Sequence, residues 1–407
     1  MKPLLMACLL TAGIAGCQTS GNKQPNKPAN FGEDVAFLRQ HLKNVVVLQL
    51  PGDSSRVLVT GDYQARVMTS SASGDAGNSF GWINYDLIGS GKLMPHINAF
   101  GGEERFWLGP EGGQYALFFP PGKPYEFTHW QTPGMIDTAH YNVTAEAPGE
   151  VSYQYAGAIQ NHAGYTFKLG VARTIRLLGK KTIESKLGIA LPEGLRSVAY
   201  ETENQVSNLG DSAWQETTGL PSIWLLGMFK PSEQTAVVAP FRPGADSRKL
   251  ITDDYFGKIP ARNLQVNDSL LLFRADGKAR GKLGIAPGIA KTGAGSIDLA
   301  NNSITVLLYE ISPNGKYVNS KWEDQAEPYK GDAVNCYNDG PLEDGTQMGP
   351  FYEVESSSDV IPLQPGEARK YSQVTMHFEG DAEALKALAE KLWQLPLDSV
   401  RQFLQQK

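Results

Sequence analysis

Apolar residues recur at two different spacings along this chain, and the spacing changes between its ends and its middle. Near the amino terminus Val35, Leu38 and Leu42 fall three and four residues apart, which predicts a helix over residues 34–43. Leu385, Leu388 and Leu392 repeat that pattern near the carboxyl terminus and predict a helix over 381–394, with Asp381 as its cap. Between them the apolar residues come in short β-branched and aromatic runs. These predict strands over 45–50, 56–60, 165–178, 182–191, 198–206, 269–274, 303–311 and 370–378. Pro51-Gly52, Pro121-Gly122, Asp276-Gly277, Asp339-Gly340, Asp344-Gly345 and Pro365-Gly366 mark tight turns. Strands at this spacing, with no helical period between them, predict an all-β fold: a large antiparallel β-sandwich with short N- and C-terminal helices. No repeat or composition break divides it, so residues 32–407 are expected to form a single domain. Its longest irregular stretch is 319–350, where function is expected to sit.

The first thirty residues follow another logic. Met1-Lys2 gives a positive start, Leu4 to Gly16 an apolar run too short to span a bilayer, and Ile14-Ala15-Gly16-Cys17 the pattern of a bacterial lipobox. Residues 1–16 therefore read as a lipoprotein signal peptide, and Cys17 as the lipidated residue. The polar, proline-bearing stretch 17–31 cannot build a core and reads as a flexible tether. No second apolar run has the length of a membrane span, so the acyl chains are the expected membrane contact. Gln18 in place of an aspartate points to the outer membrane, giving a lipid-anchored protein of the cell envelope. Cysteine usage fits export: with Cys8 removed and Cys17 acylated, Cys336 is the only thiol left and no intramolecular disulfide can form. A net charge of −6 without a basic cluster argues against nucleic acid as a partner. The 16 Phe, 16 Tyr and 7 Trp supply aromatic surface for a ligand instead.

Candidate chemistry concentrates in four places. Gly101-Gly102-Glu103-Glu104-Arg105-Phe106-Trp107-Leu108-Gly109-Pro110-Glu111-Gly112-Gly113-Gln114-Tyr115 packs acids, an arginine and aromatic rings between glycines. A sugar is held by such parts: carboxylates and guanidinium groups fork onto its hydroxyls while its apolar face lies on a ring. The competing reading pairs Glu104 with Arg105 at a strand end. Thr128-His129-Trp130 follows, an imidazole able to exchange a proton beside an indole able to stack. Asn335 to Gly345, with Asn338 and Asp339, gathers amide and carboxylate oxygens in a turn suited to sugar hydroxyls or to calcium, or simply hydrogen-bonded within itself. In Phe351-Tyr352-Glu353-Val354-Glu355 the two acids share one strand face, where closeness raises one carboxyl for acid–base work. His377 alternates with Val374, Met376 and Phe378 and is expected to face outward. No histidine pair has metal-ligand spacing, no serine elbow or phosphate loop occurs, and no cofactor is expected beyond the calcium left open.

These residues together resemble a known pattern. Tyr352-Glu353-Val354-Glu355 and Leu363-Gln364-Pro365-Gly366-Glu367 are similar to the late strand and turn of the galactose-mutarotase-like superfamily, and the Arg105 block to its early hairpin. Tyr63 to Ser70, Ser79 to Asn84, Gly109 to Gly113 and Tyr337 to Pro341 resemble more closely an uncharacterised family of bacterial lipoproteins within that superfamily. The resemblance implies the superfamily's large sandwich over nearly the whole chain, with Glu353 standing where aldose 1-epimerases carry their catalytic base. His129 falls near their first histidine, while Asn208 to Trp214 holds no counterpart of their second.

The sequence thus supports a cell-envelope lipoprotein that recognises a carbohydrate in a concave sheet. Arg105, Trp107, Trp130, Asn338, Asp339 and Glu355 would bind it. Aldose mutarotase or epimerase activity stays open, with Glu353 as base and His129 or Glu104 as acid. The alternatives are a non-catalytic glycan-binding lipoprotein of an uptake system and a polysaccharide-cleaving enzyme using paired carboxylates.

Overall fold

The computed structural model describes residues 30–406. The signal peptide, Cys17 and most of the tether lie outside the described residues. Three sheets, antiparallel throughout, make the framework. The large one has ten strands, ordered edge to edge as Leu264–Val266, Leu270–Arg274, Thr235–Pro240, Ala294–Asp298, Ser303–Tyr309, Ala368–Glu379, Arg196–Asn208, Thr166–Leu177, Glu150–Gln160 and Asn142–Ala147. A six-stranded sheet runs Ile251–Thr252, Gly281–Ile285, Val334–Asn338, Tyr352–Ser357, Ser222–Leu226 and Arg105–Gly109. Val45–Leu48, Arg56–Thr60 and Arg66–Ser71 form the third.

The main core lies between the large and six-stranded sheets, because alternate residues of each strand point into that layer. Val354, Leu225, Leu283, Cys336 and Phe106 meet Val171, Val206, Val237 and Leu307 there. Burial pushes the Cys336 thiol well above its ordinary range. The opposite face of the large sheet is also apolar: Val374, Met376 and Phe378 pack under the helices Ala382–Trp393 and Leu397–Leu404.

That second apolar layer corrects the placing of His377. The alternation was read correctly, but both faces of its strand are covered, and the histidine faces the inter-sheet layer, fully buried and stacked on Phe80. Its Nε2 lies 3.1 Å from Glu103 Oε1, and Nδ1 shares a 2.9 Å hydrogen bond with Thr305. A second correction falls on residues 182–191, expected as a strand. Lys180–Leu187 is a helix, closed by Gly188 in the left-handed region at φ 70°, with only Ile183 buried. Lys181, Glu184 and Lys186 are good helix formers, and the glycine C-cap outweighs two β-branched residues. The helix expected over 34–43 begins earlier, as Phe31–His41, because the Asn30 side chain caps it by accepting from the Glu33 amide at 3.0 Å. Asp381 caps Ala382–Trp393 as expected. Among the described residues no helix is long and apolar enough to cross a membrane.

Candidate functional site

The outward face of the six-stranded sheet is polar and aromatic, and its register explains why. Residues directly opposite one another in an antiparallel pair share a face. Arg105 stands opposite Leu226, Leu226 opposite Glu355, and Glu355 opposite Asn335. One row along, Trp107, Trp224 and Ser357 line up; in the other direction Glu353, Tyr337 and Lys282 do. The same strands send Val354 and Ser356 inward, where Ser356 Oγ donates to Gln373 of the large sheet at 2.7 Å. Loops raise walls around this floor and enclose two adjoining cavities of about 690 and 390 Å3. Glu111, Phe127, Trp224, Phe256, Lys282 and Trp322 border both.

Charge on the floor is paired by contact. Arg105 forms an ion pair with Glu353 and lies 4.8 Å from the Trp107 ring centroid. Glu355, fully buried, accepts from the Trp224 indole at 2.9 Å and from Lys282 at 3.1 Å. Glu111 Oε1 accepts two indole N–H groups, from Trp130 at 3.1 Å and Trp322 at 3.2 Å. Burial pushes the Glu111 carboxyl up against the pull of Lys282. Burial likewise raises Glu353 to about 8, against the attraction of Arg105 and with Glu355 and Asp339 adding to the rise. Asp332, which accepts from the Tyr255 hydroxyl at 2.6 Å, is raised by burial to about 6. Asp339 accepts from the Tyr337 hydroxyl at 2.6 Å and from the Gly349 amide at 3.1 Å. Four buried polar atoms on this face have no hydrogen-bond partner among the described residues: Arg105 Nε, Trp107 Nε1, Glu355 Oε1 and Ser222 Oγ.

Of the residues read from the sequence, Arg105, Trp107, Trp130, Asp339, Glu353 and Glu355 come together on this face or its walls. Three do not. Glu104 is fully buried on the opposite side of its strand, paired with Arg173 at 2.5 Å and accepting from Thr202 and Gln373. Being next to Arg105 in an extended segment sends it to the other face. His129 is half-buried at the end of a short 3-10 turn and lines neither cavity, although Phe127 and Trp130 on either side of it do. Asn338 alternates away from its neighbours Tyr337 and Asp339. It accepts from the Gly277 amide and donates to Asp276 and the Ala279 carbonyl, tying two turns together. Among the described residues no group of three acid, histidine or cysteine side chains is placed to hold a metal ion.

Sequence reasoning missed Trp224, Lys282, Arg280, Tyr255, Asp332 and Trp322. Trp322 and Asp332 sit in the long irregular stretch that was marked as functional ground, and Lys282 interrupts an alternating strand as the outward residue between Gly281 and Leu283. Trp224 gave no signal, because Ile223, Trp224, Leu225 and Leu226 form a continuous apolar run without alternation.

A large antiparallel β-sandwich with short N- and C-terminal helices is the architecture expected from the galactose-mutarotase-like resemblance, and it is the architecture observed. The chain belongs to a family of unknown function, DUF6786, whose model matches residues 29–404. No curated protein matches it. Among solved structures it is similar to the Slr1438 protein from Synechocystis sp. PCC 6803, with 11% identity and a TM-score of 0.50 over 83% of this chain and 96% of that one. A putative aldose 1-epimerase from Escherichia coli K12 has 13% identity and a TM-score of 0.46, covering 83% of this chain and all (100%) of its own. A galactose mutarotase-like protein from Lactobacillus casei ATCC 334 has 10% identity and a TM-score of 0.45, over 83% and 99%. Such likeness concerns the fold, and no activity passes from it to this chain.

Proposed function

We propose that this protein is a saccharide-binding protein of the cell envelope, anchored through Cys17, and that the walled cleft is its binding site. The observation that carries the reading is the set of unpartnered buried polar atoms, Arg105 Nε, Trp107 Nε1, Glu355 Oε1 and Ser222 Oγ, set among tryptophans. Buried donors and acceptors are costly unless satisfied, and a ligand dense in hydroxyls satisfies both kinds at once. The volumes, about 690 and 390 Å3, suit a ligand of several sugar units better than a single ring. Trp322 and Phe127 offer rings in the walls for the apolar faces of those sugars.

A second reading, aldose mutarotation, is favoured by one observation. Glu353 is raised to about 8 and Asp332 to about 6, so two carboxyl groups of the cleft exchange protons near neutrality. In ring opening, one group takes the anomeric hydroxyl proton and another donates a proton to the ring oxygen as its bond to the anomeric carbon breaks. Ring closure on the other face returns both protons. Glu353 would serve at one of these atoms, and the second proton would come from a cleft carboxyl, since neither His129 nor Glu104 reaches the cavities.

The test is a thermal-shift screen against mono- and oligosaccharides, followed by NMR of anomer exchange with each ligand found. Binding raises apparent stability by mass action. A saccharide that stabilises the wild type supports recognition. Accelerated anomer exchange that disappears in Glu353→Gln adds catalysis. No stabilisation by any saccharide would sink the proposal.

A further inference from the structure

Arg280 stands apart from the other charges of the cleft. Arg105 is paired with Glu353, Lys282 with Glu355, and Lys321 lies 4.0 Å from Asp254. Among the described residues, Arg280 is therefore the one cation lining the cavities without an ion-pair partner, and it borders both of them. Of the carboxylates around it, Glu353 and Glu355 meet cations, Glu111, Asp332 and Asp339 accept from hydrogen-bond donors, and Glu323 stands exposed in the lining of the larger cavity. Among the described residues no carboxylate lies within ion-pair distance of Arg280.

Its side chain is nevertheless held. The guanidinium carbon lies 3.8 Å from the centroid of the Phe256 ring, and Nε donates to the Tyr337 hydroxyl at 3.3 Å. The backbone is held as well. A Cβ at Gly340 would stand 2.5 Å from the Arg280 amide nitrogen and 2.7 Å from that of Ala279, so only glycine lets the Asp339-Gly340 turn pack against this segment. One edge of the guanidinium is fixed and one face is backed by a ring, while neither Nη nitrogen makes a hydrogen bond to any described residue. A planar fork fixed in this way loses little freedom when it grips two oxygens of an anion.

We propose that the saccharide taken by the cleft is acidic and that Arg280 reads its anionic group through the open Nη fork. This rests on the saccharide-binding reading above. The chemistry required is an anion offering two neighbouring oxygens, which a uronate carboxylate or a sulfate or phosphate ester supplies. Tyr337, Phe256 and Gly340 are positioning residues for that fork.

The test is calorimetric titration of the full chain in a non-glycosidic detergent. The probes are galacturonate and glucuronate oligosaccharides, their carboxyl-reduced neutral counterparts, and sulfated and phosphorylated oligosaccharides. An acidic probe is expected to bind about tenfold or more tightly than its neutral counterpart, with a preference that weakens as salt is raised. Arg280→Gln should bring the Kd of the acidic probe to that of its neutral counterpart measured on the same variant. Arg280→Lys should restore only part, because an ammonium group cannot fork. Which acidic probe responds separates carboxylate from ester. Equal binding of acidic and neutral probes, or an acidic preference that survives Arg280→Gln, overturns the assignment and leaves saccharide binding standing. Binding of no probe overturns both.

Discussion

Glu353 and Glu104 are both buried glutamates paired with an arginine, yet they stand on opposite sides of the six-stranded sheet and answer to different tests. Burial raises the Glu353 carboxyl from its ordinary 4.5 to about 8, so the folded protein holds this proton more tightly than the unfolded chain does. The resulting stabilisation is complete below about pH 4.5 and is lost as pH rises through 8. Glu353→Gln removes that titration. The Tm of the variant relative to wild type should therefore climb between pH 5 and pH 9 in thermal unfolding, and a difference independent of pH would contradict the assignment. Glu104 instead neutralises Arg173 in the fully buried layer between the sheets. Glu104→Gln leaves that guanidinium uncompensated, which should cost roughly 3–5 kcal/mol by denaturant titration. Saccharide affinity of the folded fraction should not change, because Glu104 does not reach the cleft.

At the scale of elements, the large sheet needs covers on both faces, and the C-terminal helices supply one. Leu388, fully buried, sits at the centre of that contact with Met376, Phe378 and Phe403 in the same cluster. Leu388→Ala should lower stability by roughly 2–5 kcal/mol through the cavity it leaves, read by chemical denaturation. The cleft lies on the other sheet and should bind as before. This double covering also decides what could be read from the sequence. Asp381 and the spacing of Leu385, Leu388 and Leu392 identified the helix, and the alternation in Tyr352–Ser357 placed Glu353 and Glu355 together on one face. Alternation alone could not say whether the second face of a strand meets water or another layer, and His377 was misjudged for that reason. The cleft was legible where acids and tryptophans cluster in sequence, as in Arg105–Gly109 and the loop after it. It was not legible at Trp224 and Lys282, which come from strands remote in sequence and join the site only through register, nor at Arg280, which lies in the turn just before the strand of Lys282. Asn338 shows the reverse error: a polar residue in a functional-looking run is used to fasten turns.

At the scale of the whole molecule, the proposed tether would hold the domain at a membrane of the cell envelope while the cleft takes its ligand there. Under the proposed anchoring, acyl chains on Cys17 would hold the protein at the membrane. Cys17→Ala should move the protein from the membrane fraction to the soluble fraction on cell fractionation, and retention in the membrane would remove the lipid-anchor proposal. The central claim, that the cleft binds a saccharide, is tested most directly at Trp322. Its ring lies 6.1 Å from Trp130, centroid to centroid, its N–H donates to Glu111, and it borders both cavities. It comes from a loop and is only partly buried, so its truncation should leave the sandwich folded. The decisive measurement is a calorimetric titration of the best-binding oligosaccharide from the screen into wild type and Trp322→Ala at matched Tm. The account predicts saturable one-to-one binding to the wild type and a loss of about tenfold or more in affinity in the variant, equivalent to ~1.4 kcal/mol. Equal affinity in the two proteins would place the saccharide elsewhere and contradict the account.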